Sequence, residues 1–311
     1  MIVELPDTTT SKVSKKIVAM REQGGVVTLG RVLTLVVSTK PDFVEEAIAA
    51  ANEASREHPC RIIVLAEGSP EEPTRLDAEI RVGGDAGASE VIVLSGQGEL
   101  AGESESMVSA LLLPDAPIVA WWPHGIPDNP SLTPLGRIAH RRITDAGNEA
   151  DPRQALLSLS DSYTAGDTDL SWTRLTSWRG QLAAVLDQAG MPPVTGTVVE
   201  GAPDSASTYL MAAWLEHALQ VPAEIIADPE VTGLRRVRLL HADGSVELHR
   251  PGDTMAFLHQ PGQPRQRIAL PRRSLRDCLA EELRRLDPDE VFGEVLTEGL
   301  AKCLSREGAT P

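Results

Sequence analysis

The chain has 311 residues, of which 41% are hydrophobic and 24% charged, and a formal net charge of −16. That length allows two domains with separate cores, and the charge argues against nucleic acid as a partner, because phosphate binding needs a Lys/Arg surplus. No apolar run approaches the roughly 18 residues of a membrane span, the first residues lack the basic-then-apolar order of a signal peptide, and Cys60, Cys278 and Cys303 are too scattered for a disulfide framework; a cytoplasmic protein with reduced thiols is expected.

In chain order, "TTTSKVSKKIVAMREQGG" predicts a helix stopped by Gly24–Gly25, and "VVTLGRVLTLVVST" a long β-branched strand. "KPDFVEEAIAAANEASREHP" predicts a helix with Pro41 in its first turn and acids near its positive end. "CRIIVLAE", "RLDAEIRVG" and "SEVIVLSG" read as strands, the second alternating as an antiparallel strand does. "GELAGESESMVSALLLP" predicts a helix and "PIVAWW" a strand. Residues 123–151 read as a long loop with a short element around 136–143, followed by helices over "DPRQALLSLSDSY" and "DTDLSWTRLTSWRGQLAAVLDQAG". On the second of these, Trp178 joins the stripe of Leu175 and Leu182, while Trp172 falls about 120° away, toward the flank.

The second half repeats a design of the first. "VVSTKPD" (36–42) matches "VVEGAPD" (198–204): a strand ends, a short loop follows, and Pro-Asp opens a helix that closes at Pro59 in one copy and Pro222 in the other. Two β-α-β units follow from this. "LRRVRLLHADGSVELHR" then predicts a hairpin turning at Asp243-Gly244. "RRSLRDCLAEELRRL" predicts a helix, and Asp287, Pro288 and Glu290 a capping box for a last one. The fold class expected is α/β: two α/β domains with largely parallel or mixed sheets covered by helices, the second carrying an antiparallel hairpin region. The boundary is placed between 1–165 and 166–311, at "TAGDTD".

Motifs of chemistry are sparse. The sequence has no Gly-x-Ser-x-Gly elbow, no P-loop, no His-Glu-x-x-His and no Cys-x-x-Cys. His241 and His249 lie on facing strands of the predicted hairpin, but a pair without a third ligand reads as exposed strand histidines rather than a metal site. Gly96-x-Gly98-x-x-Ala101 between a strand and a predicted helix has the shape of a dinucleotide fingerprint, without the acid that should end the next strand. The two Pro-Asp loops sit where α/β proteins bind anions, but Asp42 and Asp204 would repel phosphate, and a helix cap is the expected role. The basic residues of "RRSLRDCLAEELRR" (272–285), like those of Lys12, Lys15, Lys16 and Arg21, read as solvated faces of amphipathic helices. Cys278 and Cys303, on neighbouring predicted helices, read as buried free thiols.

The remaining distinctive text is rich in tryptophan. Trp121 and Trp122 end a strand that is apolar on both faces, so each layer of helices can cover one ring. "LLLPDAPIVAWWPHG", "DTDLSWTRLTSWRGQLAAVLD" and "YLMAAWLEHAL" together resemble the actinobacterial OpcA family, the glucose-6-phosphate dehydrogenase assembly proteins, and the resemblance runs from about Val13 to the last helix. It implies a non-catalytic factor; the motifs lead us to expect no cofactor and no metal. Such a factor would bind glucose-6-phosphate dehydrogenase and promote its active oligomeric form in the oxidative pentose phosphate pathway. Trp121, Trp122, His124, Trp172, Arg174, Trp178 and Arg179 are the partner-interface candidates, since tryptophan and arginine are enriched in hot spots, although core packing accounts for the rings as well. The alternative is a sugar-phosphate- or nucleotide-binding α/β enzyme or sensor.

Overall fold

A computed structural model of the chain describes residues 1–24, 32–82, 90–188 and 190–307. The first half gives β1 (Ile2–Leu5), α1 (Thr10–Gly24), β2 (Leu33–Thr39), α2 (Val44–Ala54), β3 (Cys60–Ala66), β4 (Arg75–Arg81), β5 (Glu90–Gln97), α3 (Glu105–Val108), β6 (Ile118–Trp121), α4 (Pro134–Ile138) and β7 (Arg141–Thr144). The chain continues with α5 (Pro152–Ser162), β8 (Asp167–Asp169), α6 (Leu170–Thr173), α7 (Thr176–Leu186), β9 (Gly196–Gly201), α8 (Ala206–Leu219) and β10 (Ala223–Ala227). It ends with β11 (Leu234–His241), β12 (Gly244–His249), β13 (Met255–His259), β14 (Gln266–Ala269), α9 (Leu275–Arg284), α10 (Glu290–Glu294) and α11 (Leu300–Glu307). Residues 26–31 of the first predicted strand lie outside the described residues. Among the described residues no helix is long and apolar enough to cross a membrane.

Two compact units result. One holds Met1–Asp145, Gly166–Thr168 and Leu275–Pro288; the other holds Ala146–Ala165, Asp169–Ser274 and the residues from Asp289 onward. Where a single boundary at 165/166 is expected, the units exchange segments around it: β8 continues the first sheet, and α9 belongs to the first unit although it follows all of the second sheet in sequence.

The first unit is an eight-stranded mixed sheet in the order β1-β4-β5-β3-β2-β6-β7-β8. The strands β5, β3, β2, β6 and β7 are parallel, and β4 and β1 add antiparallel at one edge. Every residue of β2 and β3 is buried, as continuous apolar text requires when both faces are covered. On one face Val13 and Ile17 of α1, with Met107, Val108 and Leu111, pack on Val36, Ile63, Ala120 and Trp122. On the other, α2 packs on β2 and β3 and against α9. Arg141 of β7 reaches α9 through a buried ion pair with Glu282, 2.6 Å, and donates to the Asp287 carbonyl.

The second unit is a six-stranded sheet in the order β10-β9-β11-β12-β13-β14, with only β9 and β10 parallel. The two matched segments do form the same unit: β2-α2-β3 and β9-α8-β10 are both parallel crossovers. α8 packs on β9 and β10 and against α11 and the π-helical turn Val295–Gly299.

Several local expectations move. The helix over 98–114 breaks into 3-10 turns and the short α3, because Gly102 interrupts it and Ser104 caps a new start through Ser106 N–H. The hairpin turns on Ala242-Asp243, one residue early, with Gly244 already paired to His241. His249 pairs with Arg236, so the two histidines lie at opposite ends of the ladder, and His241 is buried rather than exposed. The last helix is capped by Asp289, not Asp287: its carboxylate accepts from Phe292 N–H at 3.0 Å. Cys60, Cys278 and Cys303 are buried and in no disulfide.

Candidate functional site

In the first unit the chain leaves β2 and goes one way to β3 and β5, while β6 and β7 lie on the other side of β2. The gap between the carboxyl ends of β2 and β6 is therefore the switch point at which open α/β sheets form their crevice. Two segments leave the sheet there. Thr39 runs into Lys40-Pro41-Asp42-Phe43, and Trp121 runs into Trp122-Pro123-His124. The rings of Phe43 and His124 stack across the gap at 4.0 Å.

Trp121 is 0% exposed and Trp122 2%. Trp122 falls on the α1 face, in the cluster with Met107 and Leu135. Val119 and Trp121 alternate to the other face, that of α2 and α9. The Trp122 backbone N–H donates to Ile143 O at 2.9 Å, and its indole N–H donates to the Glu103 carboxylate. Both rings are thus spent on fixing the end of β6, and the loop they fix carries half-buried His124 and Leu132, which is 60% exposed.

The glycine motif does not form a cradle. The turn after the first parallel strand, where a dinucleotide fold places its glycines, is Lys40-Pro41 here. Gly96 and Gly98 lie instead at the end of β5, where a Cβ on Gly96 would stand 1.9 Å from Leu100 O and one on Gly98 would stand 2.7 Å from the backbone of Glu72 and Thr74. Glycine is required there by contact with the chain's own backbone.

In the second unit the predicted tryptophan helix is two helices, α6 and α7, hinged at Arg174-Leu175. Asp169 sets the first start, its side chain accepting from Ser171 N–H and Ala146 N–H, both at 2.8 Å. The break changes the geometry expected for the rings: Trp172 is 1% exposed and Trp178 2%, so neither lies on a flank. Trp172 donates to Asp289 at 2.9 Å, packs on Phe292 at 5.7 Å, and carries the Arg179 guanidinium 3.6 Å over its ring. Trp178 lies under Arg250, 5.1 Å from the ring centroid.

Arg174, Trp178 and Arg250 line one cleft of about 360 Å³, together with Arg272, Arg273 and the amino end of α8 at Asp204–Ser207. The cap of α8 is Ser205, whose hydroxyl accepts from Thr208 N–H at 3.2 Å; Asp204, one residue earlier, is exposed. Arg272 and Arg273 precede α9 rather than forming its solvated face. Arg272 pairs with Asp253 at 2.5 Å and donates to Thr232 O. Gly233, at φ +62°, leaves it room: a Cβ there would meet the Arg272 guanidinium at 2.9 Å. Arg273 donates to Thr173 O at 2.7 Å. Burial first, and the positive charge of Arg272 second, pull the Arg250 guanidinium down to about 10, against the opposing pull of Asp253. Sequence reasoning missed this cluster. The four arginines come from three places far apart in the chain, and only Arg174 and the Arg272-Arg273 pair stand out as letters.

The candidate residues therefore fall in two places. Trp121, Trp122 and His124 end β6 in the first unit. Arg174, Trp178, Trp172 and Arg179 lie on α6, α7 and their hinge in the second.

Two family models match the chain. One is the N-terminal domain of a glucose-6-phosphate dehydrogenase subunit, over residues 51–161, and the other is the corresponding C-terminal domain, over residues 165–296. The chain matches no curated protein. Among solved structures it is similar to an oxidoreductase from Sinorhizobium meliloti, with 11% identity, 90% of this chain and 99% of that one covered, and a TM-score of 0.48. A UDP-N-acetylglucosamine 3-dehydrogenase from Acidithiobacillus ferrooxidans gives 13% identity, 89% and 97% coverage, and a TM-score of 0.45.

Proposed function

Since the chain belongs to the OpcA family, we propose that it is a non-catalytic assembly factor that binds glucose-6-phosphate dehydrogenase and promotes its active oligomeric form. The observation that carries this reading is the pair of adjacent family matches, which span residues 51–161 and 165–296 and both belong to a glucose-6-phosphate dehydrogenase subunit. We take it to act in the cytoplasm, within the oxidative pentose phosphate pathway, as a binding protein rather than an enzyme. A binding partner shifts an oligomerisation equilibrium only by the difference between its affinities for the two states. The role therefore requires a surface that reads the assembled dehydrogenase.

Buried tryptophans are poor contacts and good anchors. On this reading Trp121 and Trp122 hold the loop that presents His124 and Leu132. In the second unit Trp172 and Trp178 position the guanidinium groups of Arg179 and Arg250. An exposed leucine on a loop with a rigid base meets the requirements of a hot spot: apolar area with little ordering cost on binding. The test is a titration of the purified chain into glucose-6-phosphate dehydrogenase, with turnover and mass followed together. Rising turnover with a shift to a larger assembly is expected, and Leu132→Asp should weaken both by about tenfold or more while leaving the unfolding midpoint in place. If neither turnover nor mass responds to the wild-type chain, the reading fails.

A further inference from the structure

Four arginines converge on one cleft of a chain whose net charge is −16. Arg174 comes from the hinge between α6 and α7, Arg250 from just beyond β12, and Arg272 and Arg273 from the segment before α9. Gathering like charges costs free energy unless something offsets it. Asp253 offsets Arg272. Arg250 has no such direct partner: among the described residues no carboxylate forms an ion pair with it, Asp253 acts on it only from a distance, and it is only 7% exposed. Its terminal nitrogens donate to Leu234 O at 3.1 Å and Leu270 O at 3.4 Å, and its Nε has no acceptor among the described residues. Two carbonyls and the Trp178 ring orient this guanidinium without neutralising it.

The cleft has a second source of positive potential. α8 has fourteen residues, and its first turn lines the cleft. Ser205 satisfies the Thr208 N–H, while the N–H groups of Ala206 and Ser207 are among those that a helix leaves unpaired at its start. Such an end binds oxyanions, most strongly when arginines close the other side. Beside apolar Leu175 and Leu234, the lining carries the hydroxyl and amide groups of Asn148, Thr232 and Ser171; the Ser171 hydroxyl is buried, 1% exposed in the residue, and has no hydrogen-bond partner among the described residues. Asp204 stands exposed in the same lining.

We propose that this cleft binds a small phosphorylated, hydroxyl-bearing metabolite, with the phosphate held by Arg250, Arg174, Arg273 and the start of α8, and the hydroxyls held by Ser171, Asn148 and Asp204. A volume of about 360 Å³ suits a ligand of that size. Arginine supplies planar, paired donors to a phosphate, and the lone carboxylate in the lining is an acceptor for hydroxyls rather than a partner for the anion. The ligand and the dehydrogenase partnership are independent: the cleft binds or fails to bind with the chain alone.

The experiment is isothermal titration of the full chain, without the dehydrogenase, at near-neutral pH and constant ionic strength. The probes are inorganic phosphate, ribose 5-phosphate and ribose, with potassium chloride as the control. Phosphate is expected to bind once per chain, ribose 5-phosphate about fivefold tighter or more, and ribose not at all. Arg250→Gln and Arg174→Gln should each weaken phosphate binding by about tenfold. Should Arg250→Gln fail to fold, Arg174→Gln and Ser171→Ala decide. Heats no larger than those of potassium chloride overturn the site, as does an affinity that stays within about twofold of wild type in both of those variants. Ribose 5-phosphate binding no tighter than phosphate overturns the hydroxyl-bearing class of ligand.

Discussion

Two neighbouring indoles close β6, and their ring nitrogens meet different ends. The Trp122 N–H donates to Glu103, while the equally buried Trp121 N–H has no acceptor among the described residues. Removing the nitrogen should therefore cost different amounts at the two positions. Trp122→Phe strands a carboxylate whose other oxygen is already unpartnered, which adds about 1–3 kcal/mol to the loss of volume. Trp121→Phe loses volume and relieves an unpaired donor. Urea denaturation of the two variants should rank Trp122→Phe as the less stable, and the reverse order would mean that the Glu103 bond contributes nothing. That adjacent rings must face opposite layers is legible in six letters of sequence, because strand alternation is local. Which nitrogen finds a partner is not legible, since Glu103 stands in a segment whose text reads as one helix and which Gly102 and Ser104 break.

The β-α-β units survive from sequence to structure intact. Both are set by an apolar run, a Pro-containing turn and a helix within one short stretch, the helix two-faced in α2 and buried nearly all round in α8. The β11–β12 hairpin is legible as an element but not in register, and register decides the chemistry of its histidines. Pairing opposite Arg236 leaves His249 with a pKa below the ordinary 6.5, through burial first and Arg236 second. A histidine held neutral in the fold binds its proton more readily when unfolded. Its contribution to stability is therefore complete above 6.5 and is lost as pH falls below that value toward the folded pKa. NMR titration should place the His249 midpoint below that of a free histidine, and Arg236→Gln should raise it. A midpoint unmoved by Arg236→Gln would sever the link between this register and that shift.

At the scale of the whole chain, the first unit is completed from a distance. β8 and α9 belong to it, and α9 supplies Glu282 to buried Arg141. A fragment ending at residue 165, the boundary that the sequence suggests, would lack both. One face of its sheet would lose a covering helix, and Arg141 would lose its carboxylate, a loss of about 3–5 kcal/mol where a buried pair is broken. Fragment 1–165 is expected to bind an apolar dye and to lack near-UV circular dichroism, whereas adding a peptide of residues 275–288, which contains α9, in trans should restore part of the signal; a fragment as rigid as the full chain would show α9 to be dispensable. The sequence by itself determined the α/β class, the paired crossover units, the burial of both faces around Trp121 and Trp122, and the family. Each of these is written in local periodicity or in contiguous motifs. The tertiary structure alone decided that α9 closes the first unit and that Arg174, Arg250, Arg272 and Arg273 meet at the start of α8. Charges separated along the chain converge only through strand register and helix docking, and neither leaves a periodic trace in the residues that carry the charge.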